Sequence, residues 1–134
     1  MNNPVDVSVA VAYNPEKEKF LVLKRADSME INPGKWNFAS GKIKEDEAAE
    51  DAALRELEEE TGLKGKILRS GDSFVDDTGG KVFCVHPFLV LVKDSGVTLN
   101  SEHSEFRWID ADELDDIDGL ETLGKNFEKL DIDT

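Results

Sequence analysis

Glu56, Glu59 and Glu60 stand at i, i+3 and i+4 in the stretch Arg55-Glu56-Leu57-Glu58-Glu59-Glu60-Thr61-Gly62-Leu63. On a helix this spacing puts three carboxylates on one face, about one turn apart, where like charges repel. A divalent cation relieves that repulsion. Carboxylate oxygens suit hard cations such as Mg²⁺ or Mn²⁺, whereas the absence of clustered His and Cys around these carboxylates argues against zinc. Arg55 lies beside Glu56 and four residues before Glu59, where its guanidinium can hold a carboxylate in place. The competing reading of such a charge run is an acidic, solvated helix face.

The elements around this stretch follow from periodicity and turn residues. Asp46 is a candidate N-cap, the run of Ala and Leu up to Leu57 favours helix, and Gly62 suits a left-handed C-terminal position, so a helix is predicted from Glu47 to Thr61. Val5 to Ala12 places Val on every second residue, the period of a strand, and Asn14-Pro15 turns the chain toward a hairpin partner at Phe20 to Leu23. That partner ends in two cations, Lys24 and Arg25. Ala26 to Lys35 reads as a loop and Trp36 to Gly41 as a short strand. Lys66 to Val75 and Lys81 to Val92 form a second predicted hairpin across the turn-like residues 76 to 80. A polar loop follows from Asp94 to Glu105, then a short strand at Phe106 to Ile109 and helical stretches at Ala111 to Leu114 and Gly119 to Leu130. This order gives an α+β domain on a largely antiparallel or mixed sheet.

Composition narrows the function. A chain of 134 residues, 39% hydrophobic, fits a single domain over residues 1–134. The net charge of −14 disfavours nucleic acid as a partner, since phosphate backbones are bound mainly through Lys and Arg. The acidity sits in two blocks: nine acids and one base from Glu45 to Glu60, and ten acids and two bases from Asp110 to Thr134. The second block reads as a solvated terminal helix and tail. The longest apolar run, Phe88 to Val92, is far too short for a bilayer, and Met1 to Asp6 has no signal-like pattern. Membrane partners are therefore not expected. The single Cys84 allows neither an internal disulfide nor a Cys-based zinc site, which fits a reducing, cytoplasmic location.

Extended upstream, the spacing becomes specific: Gly41, five residues, Glu47, seven residues, then Arg55-Glu56-Leu57-Glu58-Glu59-Glu60-Thr61-Gly62-Leu63. This resembles the signature of the Nudix hydrolases, including the MutT-like members, at every fixed position. The resemblance implies the Nudix fold, a mixed sheet sandwiched between helices (α/β/α), and Mg²⁺-dependent hydrolysis of a small-molecule nucleotide in which a diphosphate is linked to a further group, with Mn²⁺ as an alternative ion. It implies that Glu59 and Glu60 are direct metal ligands, with the Gly41 carbonyl available as another. Glu56 would bind metal directly or through water and is one candidate base. Arg55 would orient Glu56, and Glu47 would support the helix rather than react. The base is often a loop carboxylate in this family, and Glu102 and Glu105 are the candidates here, with Glu102 preferred as lying farther into the loop.

Around this motif the same resemblance leaves alternatives open. Lys24 and Arg25 look like a phosphate-binding pair, against a plain surface pair. Phe38 and Trp36 are candidates for a base-stacking wall, against a core role, and Trp108 is expected in the core. Asn37 or Asn126 could hydrogen-bond a base, and His103 could assist a phosphate, although a solvated loop His is the simpler reading. Ala39-Ser40 stands where many triphosphatases of the family carry Pro-Gly, so the bend before Gly41 is less rigid. Thr78, Gly79, Gly80 and Lys81 supply neither the Pro nor the Tyr that marks the ADP-ribose and dinucleoside-polyphosphate branches. The favoured activity is conversion of a nucleoside triphosphate to monophosphate plus pyrophosphate. ADP-ribose or another nucleoside diphosphate derivative is the alternative substrate, and a non-catalytic nucleotide-binding regulator the alternative class. Monomer and homodimer both remain open.

Overall fold

The computed structural model describes residues 3–77, 80–120 and 122–133. Its centre is strand β1 (Val5–Asn14), where Val9 and Val11 are buried on one side while Ser8, Ala10 and Ala12 are buried on the other. A strand covered on both faces belongs mid-sheet. β1 pairs in parallel with β7 (Phe83–Val92) over Val5↔Phe83 to Tyr13↔Leu91, and antiparallel with β4 (Ala39–Lys42) over Val7↔Lys42 to Ala10↔Ala39. At its far end it turns into β2 (Lys19–Arg25), helped by Asn14 Oδ1, which accepts from the Glu16 and Lys17 amides. β2 pairs with β3 (Trp36–Asn37) and β8 (His103–Ile109), and β7 carries β5 (Gly65–Ser70) and β6 (Phe74–Asp76). Among the described residues the result is a mixed eight-stranded sheet.

Helices cover both faces. α1 (Ala49–Thr61) lays Ala53 and Leu57 onto Ala10, Ala12, Leu21, Leu23 and Val90; alanines on strand and helix let the backbones approach closely. Fully buried Leu57 contributes about 1.5–3 kcal/mol by removal from water. On the other face α2 (Leu123–Lys129) brings Phe127 against Phe20 and Phe38, with ring centroids 4.9 and 5.5 Å apart. This is the expected α/β/α sandwich. Among the described residues no helix is long and apolar enough to cross a membrane.

Several boundaries differ from the sequence reading. α1 starts at Ala49, not Glu47, because Asp46 has φ of 65° and cannot cap, while the Glu47 carboxylate is held by the Lys44 amide and by Arg55. The C-terminal end is as predicted, with Gly62 at φ 76° donating its N–H to Glu58 O. The strand predicted over 36–41 is two strands with different partners, separated by Phe38, whose amide donates to Asn37 Oδ1. The strand predicted over 66–75 breaks at Gly71, whose N–H donates to Pro87 O and where any Cβ would collide with the Lys129 backbone. Within the predicted 76–80 turn, Thr78 and Gly79 lie outside the described residues, as do Glu121 of the predicted terminal helix and, at the chain ends, Met1, Asn2 and Thr134. The stretch at Ala111 is a 3₁₀ turn (Ala111–Asp116), and the terminal helix is shortened to Leu123–Lys129.

Candidate active site

Arg55 organises the acidic helix. Its Nε and Nη2 form a fork on the Glu47 carboxylate at 2.8 and 2.9 Å, its Nη1 donates to Glu56 at 2.7 Å and to Glu59 at 3.2 Å, and Nη2 also reaches the Lys42 carbonyl at 3.0 Å. One planar cation thus positions three carboxylates and ties α1 to the end of β4, a geometry lysine cannot reproduce. The hydrogen bonds from Arg55 hold the Glu47 carboxyl down at about 2, so Glu47 stays ionised. Its partners in turn hold the Arg55 guanidinium above its ordinary value, Glu47 foremost.

Glu60 has the opposite environment. Its side chain is 3% exposed, receives the Ser40 amide at 3.3 Å, and lies 3.8 Å from His103 Nε2. Burial, then the hydrogen bond with Glu56 and its charge, push the Glu60 carboxyl up to about 9, with Glu102 adding in the same direction. His103, expected to be solvated, is buried. Burial and the nearby Arg25 lower it to about 4, so it is a neutral imidazole whose Nδ1 lies 3.0 Å from Asn100 Oδ1. Since an amide oxygen only accepts, Nδ1 carries the proton in this arrangement and Nε2 faces Glu60.

The donor set fits a hard divalent cation. Glu56, Glu59 and Glu60 offer carboxylate oxygens, and two of the three are largely withdrawn from water. Gly41 passes directly beneath Glu56, and a Cβ there would overlap the carboxyl group. The Glu56 carboxylate therefore occupies space that a side chain at position 41 would fill.

Beside this cluster opens a cavity of about 460 Å³, lined by Arg25, Asn37, Ser40, Gly41, Lys42, Glu56, Asp76, Glu102 and Asn126 among others, with Val7, Val9, Ile31, Phe83, Val85 and Leu120 as its apolar walls. That size lies within the roughly 300–1,000 Å³ of small-molecule sites. Arg25 and Glu102 are thereby brought to Glu56. Asn37 lines the cavity as well, although its amide is engaged by Phe38 N and Ser40 Oγ.

Other expectations are corrected. Phe38 is fully buried against Phe127 and cannot stack on a base. Trp36 is likewise core, with the Arg107 guanidinium 5.6 Å from its ring centroid, and Trp108 is half-buried against the α1 side of the sheet. Lys24 and Glu105 face one another across β2 and β8, with Nζ 3.3 Å from Oε2, and neither lines the cavity. β8 reaches back to His103, which puts Glu105 in strand register while Glu102 stays in the loop. Two features escaped the sequence reading: the Ser40 amide on Glu60 and the Lys42 carbonyl on Arg55. Both are backbone groups, which no residue type announces. Asn126 is 1% exposed; its Nδ2 donates to Thr122 O, and its Oδ1 has no partner among the described residues.

Comparison with known proteins shows the family and the fold. A family model described as NUDIX domain matches residues 3–130. An uncharacterized Nudix hydrolase of Pseudomonas aeruginosa is 36% identical over 91 residues, 66% of this chain and 53% of that protein. The chain thus spans about half the length of that relative. The CTP pyrophosphohydrolase of Escherichia coli is 29% identical over 104 residues, covering 77% of this chain and 76% of that protein. The crystal structure of a MutT protein from Methanosarcina mazei superposes with a TM-score of 0.77 at 25% identity, over 97% of this chain and 94% of that one.

Proposed function

The chain belongs to the Nudix family, and from that premise we propose that it hydrolyses nucleoside triphosphates to monophosphate and pyrophosphate with Mg²⁺ or Mn²⁺. The observation that carries this reading is the Arg55-held carboxylate cluster, which opens through Glu56 into the same cavity that Asn126 lines. Phosphate chemistry and base recognition are then within one small-molecule span. Glu56, Glu59 and Glu60, with the Gly41 carbonyl, are the residues to hold the divalent ion, which when bound neutralises phosphate oxygens and acidifies water. Arg25 and Lys42 supply positive charge to the phosphates from the cavity wall. Glu102 takes the proton of the attacking water; it lines the cavity and is felt electrostatically by Glu60, whereas Glu105 is engaged by Lys24. Arg55 and Glu47 act through Glu56 and do not touch substrate.

Asn126 reads the base. A buried acceptor without a donor costs about 1–3 kcal/mol, and a nucleobase amino group or ring N–H entering the cavity would recover it. Asn126→Leu, close in volume, is therefore expected to raise the melting temperature of the free protein while lowering kcat/KM for the preferred base about tenfold or more. Thermal unfolding and a base-by-base kinetic comparison check both parts together. Gly41→Ala is expected to displace the Glu56 carboxylate and reduce turnover at least about tenfold; normal turnover would show that the Gly41–Glu56 contact is not required.

The reading as a whole is tested by product analysis with Mg²⁺ over ribo- and deoxynucleoside triphosphates, ADP-ribose and dinucleoside polyphosphates. Monophosphate plus pyrophosphate from a triphosphate is the expected result. Cleavage of ADP-ribose alone overturns the substrate, and ligand-raised melting without any cleavage overturns the activity.

A further inference from the structure

A second group of metal-ligating side chains lies away from the acidic helix. The parallel register of β1 and β7 sets Asp6 opposite Cys84 and Ser8 opposite His86. Residues in register, or two apart on one strand, share a face of the sheet, so Asp6, Cys84 and His86 project together. Their side is the one that α1 covers farther along. Ser8 Oγ donates to the carbonyl of Ala49, the first residue of α1, so Asp6 and Cys84 lie beyond the start of the helix, with Asp6 exposed and the other two half-buried. The ligand atoms of the three residues all lie within 4.8 Å of one another, and His86 Nε2 is 3.1 Å from Asp6 Oδ1. Around a tetrahedral ion with bonds of about 2.0–2.3 Å, neighbouring ligand atoms stand about 3.3–3.6 Å apart, so small side-chain adjustments close this group on an ion.

We propose that Asp6, Cys84 and His86 form a site for a borderline divalent cation of the zinc class, with solvent in the fourth position. The donor chemistry separates it from the acidic helix: one sulfur, one imidazole nitrogen and one carboxylate oxygen select against Mg²⁺, which the all-oxygen set prefers. Binding converts the Cys84 thiol to thiolate, and its proton passes to solvent. The ion bridges the two central strands behind Val7, Phe83 and Val85, which line the nucleotide cavity from the opposite face. Such a site would revise the expectation that a single cysteine excludes one, because its partners come from strand alternation and from a distant strand.

The test uses the full chain, stripped by chelator and held in excess Mg²⁺ so that the carboxylate cluster is filled, and titrated with Co²⁺. Thiolate-to-cobalt charge-transfer absorption in the near ultraviolet is expected to saturate at one equivalent per chain and to be displaced by Zn²⁺. The carboxylate cluster contains no sulfur and cannot produce this band. Cys84→Ser abolishes it, Glu59→Gln leaves it unchanged, and His86→Ala and Asp6→Asn each weaken Co²⁺ binding by more than the roughly 100-fold that an outer hydrogen-bonding partner is worth. The melting temperature of metal-free Cys84→Ser, equal to that of the wild type, establishes that the variant is folded. Absence of the band at stoichiometric Co²⁺ overturns the proposal. So does unchanged affinity in both His86→Ala and Asp6→Asn, which means that the thiol alone holds the ion, or saturation at half an equivalent with dimer formation, which means that two chains share it.

Discussion

Glu59→Gln is expected to lower the rate of anhydride hydrolysis about a thousandfold while shifting the melting temperature by no more than about 2 °C. The two halves of this result have separate causes. Glu59 is 51% exposed on the surface of α1, and its contact to Arg55 Nη1 at 3.2 Å is a half-solvated i,i+4 pair of the kind worth about 0.3–0.5 kcal/mol. Little stability is lost with it. Gln keeps the shape and the helix propensity but removes a negative charge from the face that would hold the cation, and with it the positive charge that the cation would bring to the phosphate oxygens in the transition state. Arg55 keeps Glu47 and Glu56, so the rest of the cluster stays in place. A rate within about tenfold of the wild type would refute the assignment of Glu59 as a ligand. Steady-state kinetics alongside calorimetry separates the two effects.

The second large effect concerns Mg²⁺ and pH. Burial and Glu56 raise the Glu60 carboxyl to about 9 from an ordinary value of 4.5. An acid raised on folding contributes stability that is fully present below 4.5 and is lost as pH rises toward 9, so the protein without divalent ions loses stability over this window from Glu60. A cation needs the ionised carboxylate and competes with that proton. At pH 9 and one hundred times its dissociation constant, Mg²⁺ stabilises by about 2.7 kcal/mol, or about 8 °C in melting temperature for a chain of this size. At pH 6 and the same Mg²⁺ concentration, the shift is expected to fall to about 2 °C or less, because most Glu60 carboxyls must first lose a proton. Glu60→Gln is expected to remove the pH dependence. Equal Mg²⁺-induced shifts at both pH values would contradict the reading of Glu60 as a ligand.

The acidic helix was legible because helical spacing is local: the i, i+3, i+4 pattern and the closing Gly62 depend only on residues within the segment. Its start was not, since Asp46 stands at φ 65° and the next residue, Glu47, is held by Arg55 eight residues later, a contact that local spacing does not announce. The central strand was legible from the alternation of Val in β1, but the interruption at Gly71 follows from close approach of the Lys129 backbone, which no local pattern records. Glu102 and Glu105 looked equivalent in a polar loop. They separate because β8 pairs with β2 back to His103, which lines Glu105 up with Lys24 and buries a histidine whose neighbours in sequence are all polar. Phe38 and Asn126 show the same limit from the other side: both lie at the interface of the sheet with α2, yet one packs into the core and the other lines the cavity with its Oδ1 buried and without a partner among the described residues. Periodicity gives the face of an element; it does not say what stands opposite.

The parallel pairing of β1 with β7 joins Val5 to Phe83 and so closes a loop of nearly eighty residues. Contacts of that sequence separation form late, because loop closure must precede the pairing that rewards it. During synthesis the antiparallel β1–β2 and β1–β4 contacts and α1 all lie in the first half of the chain, whereas the β7 side of β1 has no partner until Val92 has emerged. A Val-rich strand with one open edge is a template for pairing with other chains. Residues 1–92 carry 17 acids and 12 bases, a net charge of −5, and this gives such half-made chains a mutual repulsion that slows the encounter before the acidic C-terminal block has emerged.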